Sequence, residues 1–331
     1  MSNTGQSAAY AGIVRGCGLV ETLVALAIGL FVIAVAVTLY ARAGAALRVL
    51  DAHARMHETA RHALAVIESD VRMAGYYGQA HTAENVSIHP LFAFPDKCGG
   101  PGWVTDVEQF VDGTNNQYLG VTNCAALSGG AQPGSDVLIV RRASARPIEL
   151  NSTVVPASAR DEVLLVSTRD TAQVFVAEDI GGVIPAGYPL QAAPGMGPPS
   201  ELRSLLVHAY YVSVDSSVGE SVPALRRKAL VGGPGIGDEE IGTGVEDLQF
   251  RIGADVDGDG ALDSFFDPGT LPVAAIPLCV RIWLRVRGGE RSGATAASAG
   301  ASYADRTWPS VNDGYDRMLV TKTIQIRNSN L

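Results

Sequence analysis

The sequence predicts an α+β protein. One long N-terminal helix, membrane-spanning in its first half and amphipathic in its second, packs on an antiparallel β-sheet with large loop insertions. Three observations carry this. Residues 22–41 are apolar or small and hold no charge. Apolar positions then recur at helical spacing as far as Ala74. Beyond Gly78 the chain becomes a series of β-type runs divided by breakers, with 37 glycines and 17 prolines among 331 residues and only 18% charged residues. That composition fits an envelope or secreted domain, and the length allows a sizeable core. The net charge of −9 offers no basic footprint for nucleic acid.

The helix comes first. About twenty apolar residues suffice to cross a bilayer as a helix. The run continues without a breaker or a small-residue cleavage site into ARAGAALRVLDAHARMHETARHALAVIESDVRMAG, which reads as an anchor and not as a removable secretory signal. A lipoprotein signal has the opposite order, because here Cys17 precedes the apolar segment. Ala60, Leu64, Ile67, Val71 and Ala74 then mark one face of an amphipathic helix. Gly75 and Gly78, on either side of Tyr76 and Tyr77, supply the stop. From Leu19 to Ala74 this makes one helix about 80 Å long.

The rest reads as strands. Residues 134–143, 161–167, 207–215, 223–230, 246–252, 278–286 and 319–327 are rich in β-branched and aromatic residues. AYYVSVDSSVGESVPALRRKAL resembles a hairpin across a Ser/Gly turn. Breaker-rich linkers are expected at 98–134, 190–200 and 231–245. Arg141-Arg142 and Arg226-Arg227-Lys228 are expected to be short solvated clusters.

One residue of GCGLVETLVALAIGL conflicts with lipid. Glu21 is a carboxylate at the head of the apolar run, where a charge costs about 2.5–3.5 kcal/mol at a helix centre. Intramembrane charges are functional hypotheses by default. RGCGLVETLVALAIGL resembles the class III signal of type IV prepilins, a short leader ending in glycine followed by a helix with glutamate as its fifth mature residue. VRMAGYYG, GVEDLQFRIGADVDGDG and LVTKTIQIRNS together resemble PilW-type minor pilins. The resemblance implies a type IV pilin-like fold and a leader, residues 1–16, removed by prepilin peptidase between Gly16 and Cys17. It further implies N-methylation of Cys17, a membrane and filament-core helix over 17–44, its amphipathic continuation over 45–78, and a periplasmic β-rich domain over 79–331. Cys17 stands where phenylalanine or methionine is common, and Gly18 also departs from the pattern. Glu21 then acquires a role: it pairs with the α-amino group of a neighbouring subunit and sets register, a well-attested use of a buried ion pair.

A second motif is ADVDGDGALDSFFD. Asp255, Asp257, Asp259 and Asp263 fall at positions one, three, five and nine of a calcium loop, with Gly260 at six and the Ala261 carbonyl at seven. Position twelve is Phe266, so the bidentate glutamate is missing, and Asp267 lies one residue late. The flanks read as strands. The alternatives are a weak Ca2+ site on a β connection and a solvated Asp-Gly turn. Cys98 and Cys124 bracket a Gly/Pro/Asn-rich stretch and either form a disulfide in an oxidising compartment or are unrelated thiols. Cys279 reads as a small apolar residue on a buried strand.

No enzyme motif emerges. His53 and His57 have the i, i+4 spacing of a metal pair, with His62 nearby, but read as a solvated helix face. GGPGIGDEE lacks phosphate-loop spacing and reads as a loop. The expected function is that of a structural minor pilin, held in the inner membrane before assembly and in the pilus, at its tip, afterwards. Prepilin peptidase, other minor pilins, the major pilin and a tip adhesin are the partners that the resemblance implies; adhesion, twitching motility and DNA uptake are the activities. The alternatives are a pseudopilin of a type II secretion system and a membrane-anchored, calcium-responsive periplasmic binding module. A sensor of that kind would be expected to carry a cytoplasmic output region longer than sixteen residues.

Overall fold

The structure, a computed structural model, describes residues 18–80, 83–92, 102–118, 125–127, 129–191, 198–233, 235–289, 291 and 300–329. The chain divides into two compact units, 1–51 and 52–331. Helix α1 (Leu19–Met73) runs through the boundary, one residue short of the expected end. In the first unit every side chain from Leu19 to Ala43 is exposed.

In the second unit α1 presents a buried face made by Met56, Ala60, Ala63, Ile67 and Val71, continued by Ala74 just past its end. The expected stripe thus gains Met56 and Ala63, while Leu64 lies half-buried at its margin. Gly75 ends the helix in the left-handed region (φ +74°), and its N–H donates to the Arg141 carbonyl at 3.1 Å. Tyr77 packs, buried, at the helix end, its hydroxyl donating to the Val107 carbonyl.

The strands are β1 (Val86–Ile88), β2 (Val111–Thr114), β3 (Val137–Ala143), β4 (Val163–Ser167), β5 (Ala172–Val176), β6 (Glu201–Ser213), β7 (Ala224–Val231), β8 (Gly235–Thr243), β9 (Val245–Asp255), β10 (Ser264–Phe266), β11 (Ile276–Arg287), β12 (Ala301–Tyr303), β13 (Arg306–Trp308) and β14 (Arg317–Gln325). An eight-stranded sheet has the order β1-β5-β4-β6-β3-β2, with β7 on β6 and β8 on β7. A four-stranded antiparallel sheet has the order β10-β9-β11-β14, and β12 and β13 form a separate pair. The long strand β6 joins the parts of the larger sheet: it pairs with β4 along 201–204, with β3 along 205–210 and with β7 along 208–213. The expected hairpin is the β6–β7 pair.

Strand alternation distributes the two faces of the larger sheet between cores. Leu138 and Val140 of β3, with Tyr210 and Val212 of β6, join the helix stripe and the inner residues of β9, β11 and β14. Val137 and Ile139, with Val207, Ala209 and Tyr211, enter a second cluster around Trp103 and Val104. Leu164 and Val166 of β4 face a third cluster with Phe175.

Four expectations are corrected. The 98–134 stretch is not only a linker: it holds a short helix α2 (Gly102–Thr105) and β2, with Trp103, Val104 and Val107 buried. The 231–245 stretch, with its GGPGIGDEE loop, forms β8 from Gly235 onward. Its glycines weaken β propensity, but Asp238, Glu239 and Glu240 lie opposite Lys228, Arg227 and Arg226 of β7 in register, and opposite charges stabilise the pair. The two basic clusters are consequently not solvated: Arg141, Arg226 and Lys228 are buried, and Arg142 and Arg227 are half-buried. Finally, β1 and β5 are parallel, so the sheet is mixed.

Candidate functional site

The first unit presents one chemical anomaly. Residues 22–41 carry no charge, and the most apolar window of α1 is long and apolar enough to cross a membrane with none of it buried in the protein. Its threonine hydroxyls are satisfied internally: Thr22 donates to the Leu19 carbonyl at 2.9 Å and Thr38 to that of Val35 at 2.8 Å. Glu21 lies in the first helical turn, exposed. Among the described residues it has no cationic partner. Gly16 and Cys17 lie outside the described residues, as do Cys98 and Cys124. Cys279 is a free, buried thiol on β11, as its surroundings in the sequence predict.

The acidic loop connects β9 to β10, a strand-to-strand connection as its flanks predict. Its backbone is held by its own carboxylates. Asp255, 1% exposed, accepts the N–H of Gly258 and of Gly260, each at 2.7 Å. These amide bonds, that of Gly260 foremost, hold its carboxyl below the ordinary value. Gly258 and Gly260 adopt φ near +80°, which glycine alone takes without strain. Asp263 accepts from Val256, and Asp259 from Ala261, each at 2.7 Å. Oxygens of Asp255, Asp257 and Asp263 lie within 4.8 Å of one another. Asp259 stands outside that group, and Asp267 is engaged by Arg251 at 2.6 Å, so it does not take the place of the missing glutamate.

Sequence reasoning missed the buried polar networks that hold the second unit together. Asp70, on the buried side of α1 and 1% exposed, receives Arg142 at 2.6 Å, His208 at 2.6 Å and the Tyr210 hydroxyl, with Arg227 at 3.8 Å. Burial would raise its carboxyl, but His208, Arg142 and Tyr210 outweigh burial and hold it well below the usual carboxylate range. Asp247 of β9, fully buried, accepts from Ser135 (2.6 Å), Tyr303 (2.7 Å), Arg306 (2.8 Å) and Trp308 (3.1 Å). It clamps the β12–β13 pair to the four-stranded sheet. Glu246 gathers Arg285, Arg287 and Arg317. The signal for the first network was available in the periodicity. Asp70 stands three residues after Ile67, a slot on the apolar face, and Arg142, His208 and Tyr210 share parity with core residues of their strands.

A long N-terminal apolar helix whose second part packs on a large, mainly antiparallel sheet region is the α+β architecture of a pilin-like protein. A family model described as type IV pilus-assembly protein W matches residues 209–328, from the middle of β6 through β14. The match supports a PilW-type type IV pilus protein, a family of assembly proteins, and the apolar helix agrees with it in pointing to membrane anchoring. No curated protein and no solved structure matches the chain.

Proposed function

We propose that this chain is a structural minor pilin, cut by prepilin peptidase between Gly16 and Cys17, that helps to initiate or cap a type IV pilus. The observation that supports this reading best is Glu21, the single charge between Leu19 and Ala41 of the exposed apolar stretch, five residues after Gly16. Cleavage frees an α-amino group on Cys17, the N-methylation site, and the amine of a neighbouring subunit supplies the cation that the carboxylate requires. The chain waits in the inner membrane with its globular domain in the periplasm. It then enters the pilus, at the tip, beside other minor pilins, the major pilin and a tip adhesin. The PilW match favours a pilus over a type II secretion pseudopilin. Co-expression with prepilin peptidase tests the reading by intact mass. The wild type and Glu21→Val lose sixteen residues, Gly16→Ile does not, and only the wild type enters sheared pili. An uncut wild type refutes it.

The Asp255–Asp263 loop serves in this reading as a weak Ca2+ site, with dissociation constant about 10⁻⁴–10⁻³ M, as in extracellular modules. The three converging carboxylates support it. Millimolar Ca2+ should raise the melting temperature of the full chain in detergent, and Asp257→Asn should cancel the rise. Equal melting in Ca2+ and chelator reduces the loop to a turn.

A further inference from the structure

Strand β14 ends the four-stranded sheet, and among the described residues no strand pairs with its second edge. Two bonds fix which backbone groups face that edge. The Ile326 N–H donates to the Leu278 carbonyl, and the Gly288 N–H to that of Asp316, each at 2.9 Å. In an antiparallel ladder, hydrogen-bonded and non-bonded pairs alternate. The register pairs Val280 with Ile324, Ile282 with Lys322 and Leu284 with Val320, so the even-numbered residues of β14 spend their N–H and C=O groups on β11. Those of Leu319, Thr321, Thr323 and Gln325 point the other way, and the side chains of these four are exposed. The open run is bounded at one end by α1, because the outward N–H of Arg327 donates to the Arg72 carbonyl at 3.2 Å.

Proteins protect such edges with proline, bulges, short strands or projecting lysines. β14 is nine residues long, without proline or glycine and in unbroken register with β11. Its one central charge, Lys322, is turned to Glu68 at 2.6 Å. Among the described residues it is a regular template left open.

Charge selects the occupant. Neither 278–287 nor 317–325 contains an acidic residue. Arg285, Arg287 and Arg317 share Glu246. Arg281 packs 4.1 Å from the centre of the Phe265 ring and donates to the Thr323 hydroxyl at 3.2 Å. Among the described residues it has no acidic partner, and it stands on the strand next to β14, one strand in from the open edge, on the face that carries the exposed Thr323. A second copy is a poor fit: symmetric antiparallel pairing of 319–325 sets Lys322 opposite Lys322, and like charges directly opposite repel.

We propose that the open edge of β14 docks an extended strand of a different polypeptide, which pairs with Leu319–Gln325 and offers a carboxylate to Arg281. Under the function proposed above the donor is another pilus subunit, and only that assignment rests on it; the test below does not involve leader cleavage. The probe is a nine-residue peptide alternating valine with threonine and glutamate, and its control carries lysine for each glutamate. Residue-level hydrogen exchange is followed on the full chain in detergent micelles. The amides of Leu319, Thr321, Thr323 and Gln325 should exchange fast alone and slow about tenfold with saturating acidic peptide. Thr321→Pro, which deletes an outward N–H and leaves the ladder to β11 intact, should abolish the protection. Arg281→Gln should weaken binding of the acidic peptide about fivefold and spare that of the lysine peptide. Continued fast exchange at millimolar acidic peptide overturns the proposal, as does protection that survives Thr321→Pro. Equal protection by the lysine peptide overturns the acidic donor. Protection without peptide that rises with protein concentration identifies a second copy instead.

Discussion

Replacing Asp70 by alanine tests whether a buried network fastens α1 to the larger sheet. The carboxylate is 1% exposed and receives Arg142 and His208 at 2.6 Å each, with Tyr210 and Arg227 alongside. Removing one partner of a buried ion pair costs about 3–5 kcal/mol, because the remaining charge is left uncompensated. At about 2–4 °C per kcal/mol for a domain of this class, the melting temperature should fall by about 6–20 °C. Thermal and urea unfolding of the full chain in detergent, read by near-ultraviolet dichroism, measures it. The pH dependence adds a second readout. Asp70 is held well below the usual carboxylate range, so its contribution is present above about pH 4 and lost as the pH falls through the folded value. Asp70→Asn should flatten that acid limb. A loss below about 1 kcal/mol with an unchanged acid limb would refute the reasoning.

Two further predictions concern the four-stranded sheet. Asp247→Ala should release the β12–β13 pair, since two three-residue strands have little stability of their own. Trypsin should then cut after Arg306 while β9 and β11 keep their exchange protection, and an uncut hairpin counts against the clamp. Burial, against two backbone amides and helped by Asp305 and Asp247, pushes Asp136 up to about 7 from an ordinary 3.8. A raised carboxyl contributes stability that is full below about pH 4 and lost as the pH rises through 7. The wild type should therefore lose up to about 4 kcal/mol relative to Asp136→Asn between pH 4 and pH 8, and parallel urea midpoints across that range would contradict this.

The long helix was legible because its signals are local: an uncharged run, a four-three apolar rhythm and Gly75 at the stop. Strands with strong β-branched content were legible for the same reason. What failed depended on partners distant in sequence. β8 looks like a loop because Gly235, Gly237 and Gly242 disfavour a strand, and only the cations of β7 across the ladder explain its acidic residues. Arg141 looks solvated until the carbonyls of Trp103 and Gln109, which accept its guanidinium hydrogen bonds, are brought to it by α2 and its following loop. At the acidic loop the spacing shows which aspartates alternate along the chain, but not which of them converge. It did not anticipate that Arg251 takes Asp267 or that Asp259 turns to its own backbone.

The end of α1 also has a mechanical meaning. Glu68 is tied to Lys322 of β14, Asp70 to Arg142 of β3, the Arg72 carbonyl to the Arg327 N–H, and the Ala74 carbonyl to Asn328 at 3.3 Å. Tension applied along this part of the helix therefore passes sideways into one strand of each of the two larger sheets. The covalent exit through Gly75 and Gly78 is spared most of the load. Because the ties act in parallel, they must yield together before the helix can peel from the domain.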